Sequence, residues 1–284
     1  MKASVVSLPE ELNAQWRTAG CFLQRAAVVD TRHLVLVFHV DHASSIIGAG
    51  VPRQLTKYTD NEDHAPYQAT CLKLATLRHY REQHRDLEGT WDPMEGRSRI
   101  TSTLAEFCRR HHVVDLPPGA HHATADVTYK TEDSSLIYCT SMTRLRVSRR
   151  EQWKIASRIR AVPKFALLLG AEFARQCDDG RHAAVTGLDL LAAAACQSSG
   201  LDSVVHVHHG PVVYDDRAGE VLFTRIPEHA RGLATHFFKR TEFEDQQEYR
   251  FVVSTPGGRP LEDEFYLMIT PELRSVFEGA GKSR

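Results

Sequence analysis

The amino-acid sequence predicts an α+β protein, and three observations lead there. Strand-like and helix-like segments come in blocks, without the regular alternation that builds a doubly wound parallel sheet. No Gly-x-Gly-x-x-Gly follows a strand and no Gly-x-x-x-x-Gly-Lys-Ser/Thr occurs, which removes the Rossmann and P-loop readings. A hydrophobic fraction of 42% beside a charged fraction of 25% belongs to a globular chain, not to a disordered, collagenous or coiled-coil one. At 284 residues the chain is one large domain or two small ones. No linker, repeat or low-complexity stretch divides it. Residues 1–50 are read as a strand/helix segment of the same domain, and residues 51–284 as its main body, with a helical insertion over 148–200.

In chain order, a polar helix is expected near 10–18, then apolar runs at 21–29 and 33–40. The second run, His33-Leu34-Val35-Leu36-Val37-Phe38-His39-Val40, is rich in branched residues and reads as a strand buried on both faces. Leu72, Ala75, Leu77 and Tyr80 lie near helical spacing and predict a helix over 65–85. Leu104, Phe107 and Cys108 predict another over 98–112. Strands are expected at 126–130 and 135–142, and helices at 148–160, 163–176 and 188–197. Pro163 suits a first helical turn, and Gly200 suits a stop. Strands return at 203–208, 211–214, 246–254 and 264–269, before a closing helix at 271–278.

Charge and cysteine usage narrow the classes. Lys and Arg number 35 against 36 Asp and Glu, a net charge of −1, which excludes a generic polycation that coats nucleic acid. The longest apolar runs, 165–169 and 190–196, fall far short of the roughly 18–20 residues that cross a bilayer. The chain starts without an apolar leader core, so a cytoplasmic protein with no membrane partner is expected. The six cysteines are scattered without a Cys-x-x-Cys pair, which fits a reducing compartment and argues against a zinc ribbon.

Four segments are candidates for chemistry. If 246–254 is a regular strand, Tyr249, Phe251 and Val253 take a core face and Gln246, Glu248 and Arg250 the other. A carboxylate there suits chemistry at a sugar, where it holds hydroxyls and stabilises an oxocarbenium-like centre, while the amide places a nucleophile. The alternative is a solvated polar face. Thr140 and Ser141, at the end of a strand, either orient a neighbouring carboxylate or satisfy backbone groups at a turn. On a helix over 148–160, Arg150, Lys154 and Arg158 fall at i, i+4 and i+8 and make a basic ridge suited to phosphates, or else a solvated face. His206 and His208 share one face of a strand at metal-ligand spacing, or face solvent. Without a His-Glu-x-x-His, a carboxylate or a cysteine at a telling offset, no metal is expected. A His-dependent metallohydrolase stays as the third alternative.

Taken in order, the short motifs resemble a known domain. Leu55-Thr56-Lys57-Tyr58-Thr59, Trp91-Asp92-Pro93-Met94-Glu95, Tyr138-Cys139-Thr140-Ser141-Met142, Val212-Val213-Tyr214-Asp215 and Phe243 through Arg250 resemble the Lys-Tyr, Asp-Pro-x-Glu, Cys-x-Ser, Val-x-Tyr and Glu/Gln-x-Glu-Tyr-Arg motifs of a widespread bacterial family of unknown function. The same order is similar to ADP-ribosyltransferases. That resemblance implies a split β-sandwich core carrying an inserted helical block. It also implies NAD as the co-substrate and transfer of ADP-ribose to a macromolecular acceptor, nucleic acid or protein, as in a toxin or phage-defence effector with an antitoxin or immunity partner. Carried over, Glu248 holds the nicotinamide ribose, Gln246 helps place the acceptor, Thr140 or Ser141 supports the nicotinamide end, and Lys57 or Tyr58 contacts NAD. Arg150, Lys154 and Arg158 would face acceptor phosphates. Cys139 stands where that family has its first Ser. The alternative is a non-catalytic nucleic-acid or protein binding module on the same fold.

Overall fold

The computed structural model describes residues 14, 16–17, 20–30, 33–42, 50–82, 97–103, 124–130, 135–142, 155–177, 201, 203–217, 226, 228–254 and 263–282. Their main element is a 10-stranded, curled sheet. Strands β1 (Cys21–Val29) and β2 (His33–Val40) form an antiparallel hairpin. β2 then pairs in parallel with β9 (Ser203–Pro211), which pairs antiparallel with β12 (Glu248–Ser254). β12 runs antiparallel to β7 (Leu136–Ser141) along nearly its whole length. All eight residues of β2 are buried, as its unbroken apolar pattern predicts for a strand covered on both faces.

On its other edge β7 has two partners. At Ser141 it meets Thr56 of β3 (Gln54–Thr59), which continues through β8 (Ile155–Arg160) to β14 (Phe277–Lys282). At Ile137 it meets Ala75 of β4 (Cys71–Ala75), which continues to β13 (Glu264–Met268). The sheet therefore divides at β7. Two short ribbons lie apart from it, β5 (Arg97–Thr103) with β6 (Thr124–Lys130), and β10 (Val213–Tyr214) with β11 (Phe238–Lys239).

Four α-helices are among the described elements: α1 (Leu77–Glu82), α2 (Val162–Gln176), α3 (Glu228–Thr235) and α4 (Pro271–Arg274). Only α2 is long, and it fills one face of the sheet. Phe165, Leu169 and Phe173 pack in one core with Val35, Val37, Val205, Val207 and Phe251. Phe165 sits edge-on to Phe251 at 4.8 Å between ring centroids and to Phe277 at 5.3 Å. Gly170 lets the helix approach the sheet closely, since a Cβ there would stand 2.6 Å from Val35 Cγ1 and 2.7 Å from Val207 Cγ2. The opposite face holds Leu34, Leu36, Phe38, Ile137, Val204 and Val252, covered by Trp16, Leu77, and Leu233 of α3. Burying each large side chain contributes about 1.5–3 kcal/mol.

The helix expected at 163–176 is α2, and the strands expected at 33–40 and 135–142 are β2 and β7. Several expectations give way. In place of the helix over 65–85, the described residues hold strand β4 and the short helix α1, after a 3₁₀ turn at Glu62–His64. Leu72 and Leu74 face the α2 core, so alternation governs there rather than helical spacing. Residues 97–103 are strand β5, where the helix over 98–112 was expected. The block 148–200 contributes β8 to the main sheet, so residues 155–160 are not helical. The closing helix stops at Arg274 and the chain turns into β14. The helix expected at 188–197 lies outside the described residues. No helix among the described residues is long and apolar enough to cross a membrane.

Candidate functional site

Glu248 begins β12, and its position depends on the two residues before it. Thr241–Gln246 form a 3₁₀ turn, and Gln247 leaves it with φ 45°, a left-handed backbone. The strand thus begins at Glu248, and Gln246 is not two positions along a regular strand as expected. Its amide still reaches the same place, because Gln246 Oε1 and Glu248 Oε1 both accept from Lys239 Nζ, at 2.9 and 2.7 Å. The other carboxylate oxygen, Oε2, accepts from Arg250 Nε at 2.9 Å and from a second guanidinium nitrogen at 2.7 Å. Arg250 also donates to the His236 carbonyl at 2.7 Å. The Glu248 amide donates to the Tyr214 hydroxyl at 2.8 Å.

The face of β12 opposite the α2 core is therefore a closed ionic network and not a solvated strip. Lys239 and Arg250 are 3% and 1% exposed, and Glu248 is 14% exposed. Burial alone would push the Glu248 carboxyl up, but the Arg250 guanidinium and Lys239 ammonium beside it hold it down at about 2. It is ionised at neutral pH. Burial, and then the charge of Glu248, raise the Tyr214 phenol above its usual range.

The strand beside it places Ser141 opposite Glu248 and Cys139 opposite Arg250. The Ser141 hydroxyl donates to the Gln246 carbonyl at 3.0 Å, fixing the turn that delivers Glu248. The Thr140 hydroxyl points to the other face and donates to the Tyr249 carbonyl at 2.9 Å. On the far edge of β7, Ser141 meets Thr56, which puts Lys57 and Tyr58 in the next strand. The three motif segments are thus neighbours in the order β12, β7, β3.

Where β3 and β4 part from β7, a cleft of about 690 Å³ opens, a size suited to a small ligand. Lys57, Tyr58, Tyr80, Tyr138, Tyr266 and His79 are among its lining residues; Glu248 and Ser141 are not. Lys57 Nζ donates to the Cys139 carbonyl at 3.0 Å and stands 5.0 Å from the centre of the Tyr138 ring. At the mouth, Glu264 bonds Lys73, lies 3.1 Å from His79 Nε2 and accepts from the Tyr266 hydroxyl at 3.0 Å. The 65–70 wall is held by Arg274, which donates to the carbonyls of Tyr67 and Ala69 at 2.8 and 2.7 Å.

The remaining candidates are not brought here. Arg158 is exposed on β8, opposite Thr56 and Glu278, so no helical basic ridge includes it. Arg150 and Lys154 lie outside the described residues. His206 and His208 are buried, not solvent-facing: His208 stacks on Phe38 at 4.9 Å, and His206 meets Trp16 edge-on at 6.0 Å. Among the described residues no group of three or more His, Cys, Asp or Glu is arranged to hold a metal ion. Sequence reasoning missed Lys239, which no spacing links to Glu248. It also missed the cleft face of Lys73, Tyr266 and His79; alternation along β4 and β13 was the available signal for the first two, while His79 comes from α1.

The fold and site define a sheet-dominated mixed α/β protein with a central helix and a buried ionic cluster beside a tyrosine-lined cleft. Comparison with protein-family models, curated proteins and solved structures finds no match.

Proposed function

We propose that the protein is an NAD-dependent ADP-ribosyltransferase acting on a macromolecular acceptor, nucleic acid or protein. The observation that carries this reading is the convergence of three segments at Ser141, with Glu248 opposite it on one side and Thr56, next to Lys57-Tyr58, on the other. These are the segments in which the resemblance places ribose, nicotinamide and NAD contacts. A carboxylate held ionised and rigid by Arg250 and Lys239 can stabilise positive charge that develops at an anomeric carbon. The tyrosines and Lys57 among the lining residues offer aromatic contacts and a hydrogen-bond donor to a dinucleotide. In the reaction the bond from ribose to nicotinamide breaks and nicotinamide leaves with the electron pair. The acceptor forms the new bond and loses its proton. Gln246, by bonding Lys239, acts as a positioning residue for Glu248. The effector role and a neutralising partner protein follow from the same reading.

A second reading is favoured by one observation: both Glu248 oxygens already accept hydrogen bonds within the protein. A non-catalytic binding module would use this network to hold the cleft's shape. The two are separated by incubating the protein with NAD and measuring nicotinamide release and label transfer to cell extract. A transferase releases nicotinamide, loses that activity in Glu248→Gln, and binds NAD more weakly in Tyr58→Ala. Ligand binding with no release at all supports the module.

A further inference from the structure

We propose that Lys57 is a nucleophilic amine that condenses with a small aromatic aldehyde held in the cleft. The inference goes beyond the transferase reading and does not need it. Lys57 is placed where β3 separates from β4, and it lines a cleft of about 690 Å³ together with the rings of Tyr58, Tyr80, Tyr138 and Tyr266. Among the described residues no carboxylate stands within ion-pair distance of its nitrogen, whose hydrogen bond goes to the neutral Cys139 carbonyl. Four tyrosines among the lining residues suit a flat aromatic body, and the amine stands against β7, bonded to the Cys139 carbonyl and over the Tyr138 ring.

The charges facing the nitrogen come from each neighbouring strand. Burial is the largest influence and lowers its basicity. Glu248 of β12 and Cys139 of β7 act the other way, and Lys73 of β4 lowers it further. Desolvation, with a second cation nearby, favours the neutral, nucleophilic form of a lysine. A neutral amine can keep one N–H on the Cys139 carbonyl and present its lone pair to a carbonyl carbon. The carbinolamine that forms loses water, taking the aldehyde oxygen and both amine hydrogens, and leaves an imine. Once protonated, that imine has one N–H, which the same Cys139 carbonyl can accept.

The test is to incubate the purified protein with benzaldehyde at pH 7, reduce with cyanoborohydride, and map the adducts by mass spectrometry. The expected result is one adduct per chain, on Lys57, absent in Lys57→Arg and formed more slowly in Lys73→Gln, which removes a neighbouring charge that lowers the basicity of Lys57. Adducts spread over other lysines with Lys57 unmodified overturn the proposal, and the wild-type map alone decides this if a variant fails to fold. Nicotinamide release is measured on the same preparations. Labelling without release keeps this inference and removes the transferase reading; release without labelling does the reverse.

Discussion

Replacing Glu248 by glutamine should destabilise the protein at pH 7 by about 3 kcal/mol, with a pH dependence that identifies the cause. The side chain keeps its shape but loses its charge, leaving Lys239 and Arg250 buried without their shared carboxylate. Removing one partner of a buried ion pair costs roughly 3–5 kcal/mol. The titration gives the same scale: a carboxyl lowered from 4.5 to about 2 on folding contributes about 3 kcal/mol at neutral pH. Because the folded pKa is the lower one, this contribution is complete above pH 4.5 and is lost as pH falls toward 2. Urea unfolding of both proteins at pH 7 and in steps from pH 4.5 to 3 should show a gap that narrows on acidification. A gap under about 1 kcal/mol at pH 7, or one that does not narrow, would refute the reasoning.

The same physics reaches other positions. His42, stacked on Phe238 at 5.8 Å, is lowered by burial to about 4, so its contribution is present above pH 6.5 and is lost as pH falls to 4. His42→Gln should therefore flatten the stability profile across that window by at most roughly 3 kcal/mol, measured by urea unfolding. Gly170→Ala should lower the thermal midpoint, because the added methyl meets Val35 and Val207 and costs about 1–3 kcal/mol; adding Val207→Ala should restore part of the loss. Arg274→Met removes the bonds to the Tyr67 and Ala69 carbonyls, and hydrogen exchange at the Gln68 and Ala69 amides should quicken while α2 stays protected.

What was legible in the sequence was local. β2 announced itself by an unbroken branched run, α2 by Pro163 and a continuous apolar stretch, and β12 by the Tyr249, Phe251, Val253 alternation. At β4, Leu72, Ala75, Leu77 and Tyr80 lie near helical spacing although they span a strand and α1. At β8 the i, i+4, i+8 spacing of Arg150, Lys154 and Arg158 resembles a charged helix face, whereas the chain at 155–160 pairs with β3 and β14. In the site, the nature of Glu248 and Arg250 could be read from their types and spacing, and their partners could not. Lys239 arrives through α3 and β11, and the turn at Gln247 depends on a left-handed backbone at a residue other than glycine. The cleft was invisible because it is made by two strands leaving β7 in different directions, a consequence of sheet pairing and not of any segment.

The most direct test of the transferase account is nicotinamide release from NAD by the wild-type protein and by Glu248→Gln, under conditions where circular dichroism shows both folded. The account predicts release by the wild type and a fall of about 10²-fold or more in the variant, the scale of a lost electrostatic contact to the transition state. No release by the wild type, or equal release by both proteins, would contradict it.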